Sequence, residues 1–154
     1  MGVLRDRYRA RRLCWYTRTM NDVRYVTSVA GITTDHLGGF FAGWHQPPSP
    51  EQHLKLLHNS DHIVLALHKE RVVGFSTAIS DGTLAAYIPF LEVLPAWQRQ
   101  GIGSELVSEL LALLSDHYMI DLVCDPELQT FYERFAMERA TGMRIRNYEH
   151  QSGR

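Results

Sequence analysis

Residues 98–103 read Gln98-Arg99-Gln100-Gly101-Ile102-Gly103, and Ser104-Glu105-Leu106-Val107 carries straight on into a helical pattern. The run from Leu84 to Leu94 immediately before it is strand-like. Strand, glycine turn and helix start is a layout in which backbone amides converge on an anion. The first N–H groups of a helix have no internal acceptor, and the helix dipole adds partial positive charge there. Gly101 and Gly103 carry no Cβ, so a phosphate can come close to the main chain. Residues 98–104 are therefore expected to hold a phosphate-bearing ligand.

The spacing narrows the ligand. A P-loop needs G-x-x-x-x-G-K-[ST], and no Lys follows Gly103; a dinucleotide fingerprint needs G-x-G-x-x-G, and only G-x-G is present. The pattern [QR]-x-x-G-x-[GA] on strand, turn and helix instead resembles motif A of the GNAT N-acetyltransferase superfamily. Leu91-Glu92-Val93-Leu94-Pro95 is similar to that family's fourth strand leaving toward the turn, and Phe131-Tyr132-Glu133-Arg134-Phe135-Ala136-Met137 is similar to its motif B, with Ala136 where Gly is usual. The resemblance runs over residues 22–148. It implies acetyl-CoA as co-substrate, with the pyrophosphate on the amides of Gln98, Arg99, Gln100, Gly101, Ile102, Gly103 and Ser104.

Composition fits one ordinary domain: 154 residues, 45% hydrophobic and 21% charged, enough for a sizeable core. No apolar run approaches the ~18 residues of a membrane span. Cys14 and Cys124 are too few for a disulfide framework, and the eight His show no paired-ligand spacing. No metal is expected, and the cytoplasm is the expected compartment. Residues 1–20 differ in character: Arg5, Arg7, Arg9, Arg11, Arg12 and Arg18 stand against Asp6 alone, a local charge of +5 that leaves −6 for the remainder. This stretch is expected to be a flexible extension, with residues 21–154 as the single domain. Nucleic acid is not the expected partner, although salt-dependent binding by the arm is the reading that its arginines would support. The acidic remainder mildly favours a cationic substrate.

Along the chain, Val23 to Val29 alternates as a first strand and Thr33-Thr34-Asp35 can cap a helix reaching about Phe41. A loop with three prolines leads to Ser49-Pro50-Glu51-Gln52, a strong helix opening, with that helix ending near His58. Ile63–Leu67, Val72–Ile79 and Leu84–Leu94 form an antiparallel meander through turns at 69–70 and 80–83. A helix over 102–114 shows one apolar stripe, Ile102, Leu106, Leu110, Leu113 and Leu114. A short strand at 119–123, a helix over 126–136 and a last strand at 143–148 complete the reading. The fold class is α/β with a mixed sheet: a meander followed by a β-α-β crossover. Pro89 cannot donate a ladder bond, so a bulge or an unpaired stretch is expected there. In the resembling family the central strands splay at this place and pantetheine enters the gap.

Acetyl transfer to an amine needs a base for the ammonium, a donor for the carbonyl oxygen and an acid for the departing thiolate. The resemblance implies the amide near Val93 or Leu94 as donor and Tyr132 as acid; Asp125 stands where relatives carry an Asn that contacts pantetheine, and keeps an acceptor while losing the NH₂ donor. Glu92, a carboxylate among apolar neighbours, is the candidate base, since desolvation raises its pKa; alternation puts it on the strand face opposite Val93. Tyr87, Asp81, Trp44 and His45 are further candidates around the amine, and Phe40, Phe41 and Trp44 form either core or pocket wall. The expected function is acetyl-CoA-dependent N-acetylation of a small primary amine by direct attack. The alternative is a non-catalytic acyl-CoA-binding module. Dimerisation is common in the resembling family, which allows a homodimer, but no feature of this sequence fixes it.

Overall fold

The computed structural model describes residues 22–154; the Arg-rich extension expected over residues 1–20 lies outside the described residues. The described elements are β1 (Val23–Val26), α1 (Pro50–Asn59), β2 (His62–His68), β3 (Arg71–Ser80), β4 (Ala85–Val93), α2 (Ile102–Leu113), β5 (Met119–Asp121) and α3 (Gln129–Glu133), with short 3-10 turns between them. The five strands form one sheet in sequence order. β1 to β4 pair antiparallel, and β5 pairs parallel to β4 after the α2 crossover. This is the expected meander followed by β-α-β.

The sheet separates two apolar clusters. On one face α2 presses Ile102, Leu106, Val107, Leu110 and Leu111 onto Val64, Val73, Ala78 and Ile88. On the other, α1 and the loop before it bring Leu57, Phe40 and Phe41 onto Leu65, Phe75 and Leu94. Each fully buried Leu or Phe stabilises the fold by about 1.5–3 kcal/mol, so these two layers dominate the energetics. Gly74 lets α2 lie close: an added Cβ would stand 3.0 Å from Leu106 Cδ1 and 3.2 Å from the Glu92 carbonyl oxygen. Leu113 falls at the margin of the helical stripe and stays exposed, its expected place taken by Val107 and Leu111.

β4 carries the expected irregularity. Thr77 pairs with Phe90 and Ile79 with Tyr87, so Ile88 and Pro89 together face the single Ala78. That is a bulge at the proline. β5 pairs with β4 only from Ala85 to Tyr87. Beyond Tyr87 the outer edge of β4 has no strand beside it among the described residues, which is the expected splay.

Four expected elements come out differently. β1 stops at Val26. The helix expected through Phe41 is a single 3-10 turn, Thr34–His36, because Gly38-Gly39 follow and Phe41 takes a left-handed conformation, φ +59. The helix expected over 126–136 splits into a 3-10 turn, Pro126–Leu128, and the short α3, with Ala136 at φ +61. Residues 143–147 form no strand; Met143 and Ile145 are 99% and 92% exposed. No strand pairs with them among the described residues, and alternation alone does not make a sheet.

Candidate acyl-transfer site

The site is the splayed end of β4 with the turn and helix that follow. Leu94 N–H donates to the Val73 carbonyl at 2.9 Å. Backbone groups along an antiparallel strand alternate in direction, so the Val93 N–H, one residue back, points away from β3 into the splay. The Val93 carbonyl opens the same way and accepts from Gln98 Nε2 at 2.9 Å. Of the two expected donors, the Val93 amide is the one left out of the β3 ladder. The Leu94 amide is used by the ladder and its side chain is core.

The turn after β4 is shaped by two left-handed residues, Arg99 at φ +59 and Gly101 at φ +86. Gly101 is the N-cap of α2, and its carbonyl accepts the Glu105 N–H at 3.1 Å as the first bond of the helix. The amides of Ile102, Gly103 and Ser104 precede that bond and have no acceptor within the helix. Ile102 contributes its amide alone, since its side chain is buried against the sheet. Gly103 lies where β4, α2 and α3 meet: a Cβ there would lie 3.7 Å from Val93 Cγ2 and 3.9 Å from the Phe131 ring. Gln100 Nε2 donates to the Ala96 carbonyl at 3.1 Å and braces the turn from outside.

Arg134 is the residue that the motif contained and the site assignment missed. Its guanidinium lies 4.7 Å over the Phe131 ring and donates to Ser104 Oγ at 3.4 Å. A cation thus stands at the positive end of α2, where an anion would be favoured. The basic position after Glu133 in the motif was the available signal.

Tyr132 packs edge-on to Phe131 at 4.9 Å and joins the α2 face of the core. Burial, helped by the nearby Cys124, pushes its phenol up to about 12, so it holds its proton at neutral pH. Cys124 lies just past β5; burial and then Asp125 and Glu127 push its thiol up as well, so it is not an activated nucleophile. Asp125 is exposed, and its carbonyl accepts Leu128 N–H at 2.9 Å to start the turn before α3.

Glu92 sits on the face opposite Val93, as alternation required. Its Oε1 accepts the Phe41 N–H at 2.7 Å. The carboxyl is half-buried, and desolvation raises its pKa against the lowering effect of the Phe41 and Ala42 amides. It lines a cleft of about 370 Å³ with Phe41, Trp44, Phe90 and Gln98 among its walls. Phe40 is core, Phe41 is both core and wall, and Trp44 is wall. His45 is not among the lining residues. Asp81 lies at the other end of β4, where Oδ1 accepts the Thr83, Leu84 and Ala85 amides at 2.8, 2.8 and 3.0 Å. Those bonds hold its carboxyl below the usual range and make it a turn residue. Tyr87 pairs with Asp121 at the last rung before the splay.

Among the described residues no group of three or more His, Cys, Asp or Glu is arranged to hold a metal ion, and no helix is long and apolar enough to cross a membrane.

The family model described as "Acetyltransferase (GNAT) family" matches residues 29–137, a span that includes the whole of this site. The chain belongs to the GNAT acetyltransferase family, whose members characteristically use acetyl-CoA. It is 44% identical to a candidate acetyltransferase from Deinococcus radiodurans R1 whose crystal structure superposes with a TM-score of 0.84, over 88% of this chain and 95% of that one. A GNAT-family acetyltransferase from Streptococcus pneumoniae TIGR4 is 26% identical, with a TM-score of 0.61 over 81% of this chain and 98% of the other. The Arabidopsis thaliana protein "GCN5-related N-acetyltransferase 3, chloroplastic" is 40% identical over 65 residues, 41% of this chain. The match spans only about a quarter, 27%, of that plant protein's length.

Proposed function

We propose that the protein transfers the acetyl group of acetyl-CoA to a primary amine by direct attack. The new bond joins the amine nitrogen to the acetyl carbon, the carbon–sulfur bond breaks, the amine gives up a proton and the thiolate takes one. The observation that carries this reading is the start of α2, whose Ile102, Gly103 and Ser104 amides precede the first helical hydrogen bond, beside the stretch of β4 beyond Tyr87 that β5 does not pair.

The residue roles follow from position and charge. The amides of residues 101–104, with Arg99 and Arg134 nearby, bind the pyrophosphate. The Val93 N–H donates to the carbonyl oxygen as charge develops on it. Tyr132, protonated to about pH 12, supplies the proton for the thiolate. Glu92, raised by burial and close to the cleft, accepts the ammonium proton directly or through water. Gln98 holds the Val93 carbonyl and so fixes the orientation of the neighbouring peptide. Asp125, exposed just before the turn into α3, accepts from a pantetheine amide. Bound acetyl-CoA supplies the activated thioester.

Calorimetric titration with acetyl-CoA, followed by a coenzyme A release assay over a panel of amines, tests the proposal. Binding with turnover supports it. Binding without turnover of any amine turns the protein into an acyl-CoA-binding module. We place the reaction in the cytoplasm, a reducing compartment, in keeping with the free thiol of Cys124. A homodimer belongs to the same proposal, supported by the outer edge of β5, which no strand among the described residues pairs, and by the exposed Met143 and Ile145; a monomer mass in sedimentation removes that part.

A further inference from the structure

We infer that the acceptor is an arylalkylamine: a primary amine with a single positive charge on a flat apolar body. The inference rests on the acetyl-transfer reading and names the substrate class for the same site.

The cleft beside Glu92 has a distinct chemistry. Three rings border it: Phe41 lies 5.2 Å from Trp44 and 6.0 Å from Phe90, and Trp44 lies 6.4 Å from Phe90. Trp44 is 39% exposed, so part of its ring surface is available to a ligand. Such spacings and tilted angles are those at which a further ring packs favourably. Pro89, Leu91 and Pro95 extend the apolar wall.

Glu92 is the one charged side chain among the described residues that line this cleft. Oε1 accepts the Phe41 amide, and the nearby Ala42 amide favours the charged carboxylate. A carboxylate has about four acceptor positions, so capacity remains for an ammonium. An ammonium there would also lie near aromatic faces, which attract cations.

This arrangement selects against two other kinds of amine. No Lys or Arg among the described residues lines the cleft, so a phosphorylated amino sugar would bring its negative charges to apolar walls and a carboxylate. A polycationic acceptor would leave all but one of its charges unpaired against the rings. Both are costs built into the site against the wrong ligand. The volume, about 370 Å³, is at the small end of ligand pockets and suits one ring on a short chain.

The test uses the full chain with acetyl-CoA and three acceptors: 2-phenylethylamine, glucosamine 6-phosphate and kanamycin. The expected result is a kcat/KM for 2-phenylethylamine at least tenfold above the other two. Trp44→Ala should raise the KM for 2-phenylethylamine at least tenfold while acetyl-CoA affinity stays within twofold, and Trp44→Phe should recover most of the loss. If acetyl-CoA binds but either comparator is turned over faster, or no amine in the panel is turned over, the substrate class is wrong and the cofactor site stands. An unchanged KM in Trp44→Ala overturns the class as well. Failure of acetyl-CoA to bind overturns the reading beneath it.

Discussion

Glu92 accepts a hydrogen bond from the amide of Phe41 at 2.7 Å across 51 residues of chain. The bond does two things at once. It fixes the left-handed Phe41, which a bulky residue does not adopt without support, and it holds a carboxylate at the cleft in a defined direction. Burial raises the Glu92 pKa above the ordinary carboxylate value. A base works in its deprotonated form, so kcat/KM should rise with pH through that raised pKa and then level off. In Glu92→Gln, which keeps an acceptor for the amide, the limb should vanish and kcat fall by about 10²-fold. A pH–rate profile of both proteins checks this; an identical limb in the variant assigns it to another group.

The two glycines of the turn should separate by readout. Gly101→Val adds a Cβ into open space, since nothing lies within 4 Å, and the cost is the φ of +86. The fold should survive while acetyl-CoA affinity falls at least tenfold, about 1.4 kcal/mol. Gly103→Ala puts its Cβ in ordinary contact with Val93 and Phe131, so its melting temperature should stay near that of the parent while the ligand loses room. Calorimetry on both folded variants decides; parental affinity in both removes the pyrophosphate assignment.

Tyr132→Phe keeps the edge-on packing against Phe131 and deletes the phenol. If Tyr132 protonates the thiolate, kcat should fall by about 10- to 100-fold, roughly 1.4–2.7 kcal/mol, with acetyl-CoA affinity changed less than threefold. Single-turnover kinetics isolate the chemical step, and an unchanged rate there makes Tyr132 a packing residue.

Ala136 occupies a left-handed position, φ +61, at the place where the family usually has Gly. A Cβ in that conformation costs about 1–2 kcal/mol, partly offset by the greater freedom of glycine in the unfolded chain. Ala136→Gly should therefore stabilise the protein by roughly 0.5–1 kcal/mol, or about 1–4 °C in melting temperature. Denaturant titration of the pair measures it; a loss of stability would mean that the alanine methyl contributes packing.

His53 on α1 is 1% exposed, with ring centroids 5.1, 5.0 and 4.4 Å from Phe40, Phe41 and Phe75, and neither nitrogen has a partner among the described residues. Burial pushes its pKa down to about 4 from the usual 6.5. Above pH 6.5 folded and unfolded chains are both neutral at this residue. As pH falls below that value, the unfolded chain takes up a proton that the folded one refuses. Stability is then lost progressively toward pH 4, by about 2 kcal/mol between pH 7 and pH 5. His53→Phe should flatten that slope, and denaturant titrations at the two pH values compare them.

Local chemistry made much of this molecule readable. Ser49 caps α1 as its sequence required, its Oγ accepting Gln52 N–H at 3.3 Å, and Pro89 marks the bulge because a residue without an N–H cannot sit inside a ladder. The turn at Gly101 was likewise encoded within six residues. The segment from Leu37 to Trp44 was not, because its shape depends on Glu92, far along the chain. Residues 143–148 alternate like a strand, but pairing depends on a partner edge that sequence periodicity does not reveal. The reach of Arg134 back to Ser104 depends on how α3 docks, which a motif lists but does not orient.

The bulge at Pro89 has a consequence for solubility. From Ile88 to Val93 the outer edge of β4 has no strand beside it among the described residues, the type of edge that recruits another extended chain. The bulge at Pro89 twists that edge out of register with any straight strand. The irregularity that opens room for a ligand also blunts the edge as a template for aggregation. Replacing the proline with a good strand former would endanger both properties together.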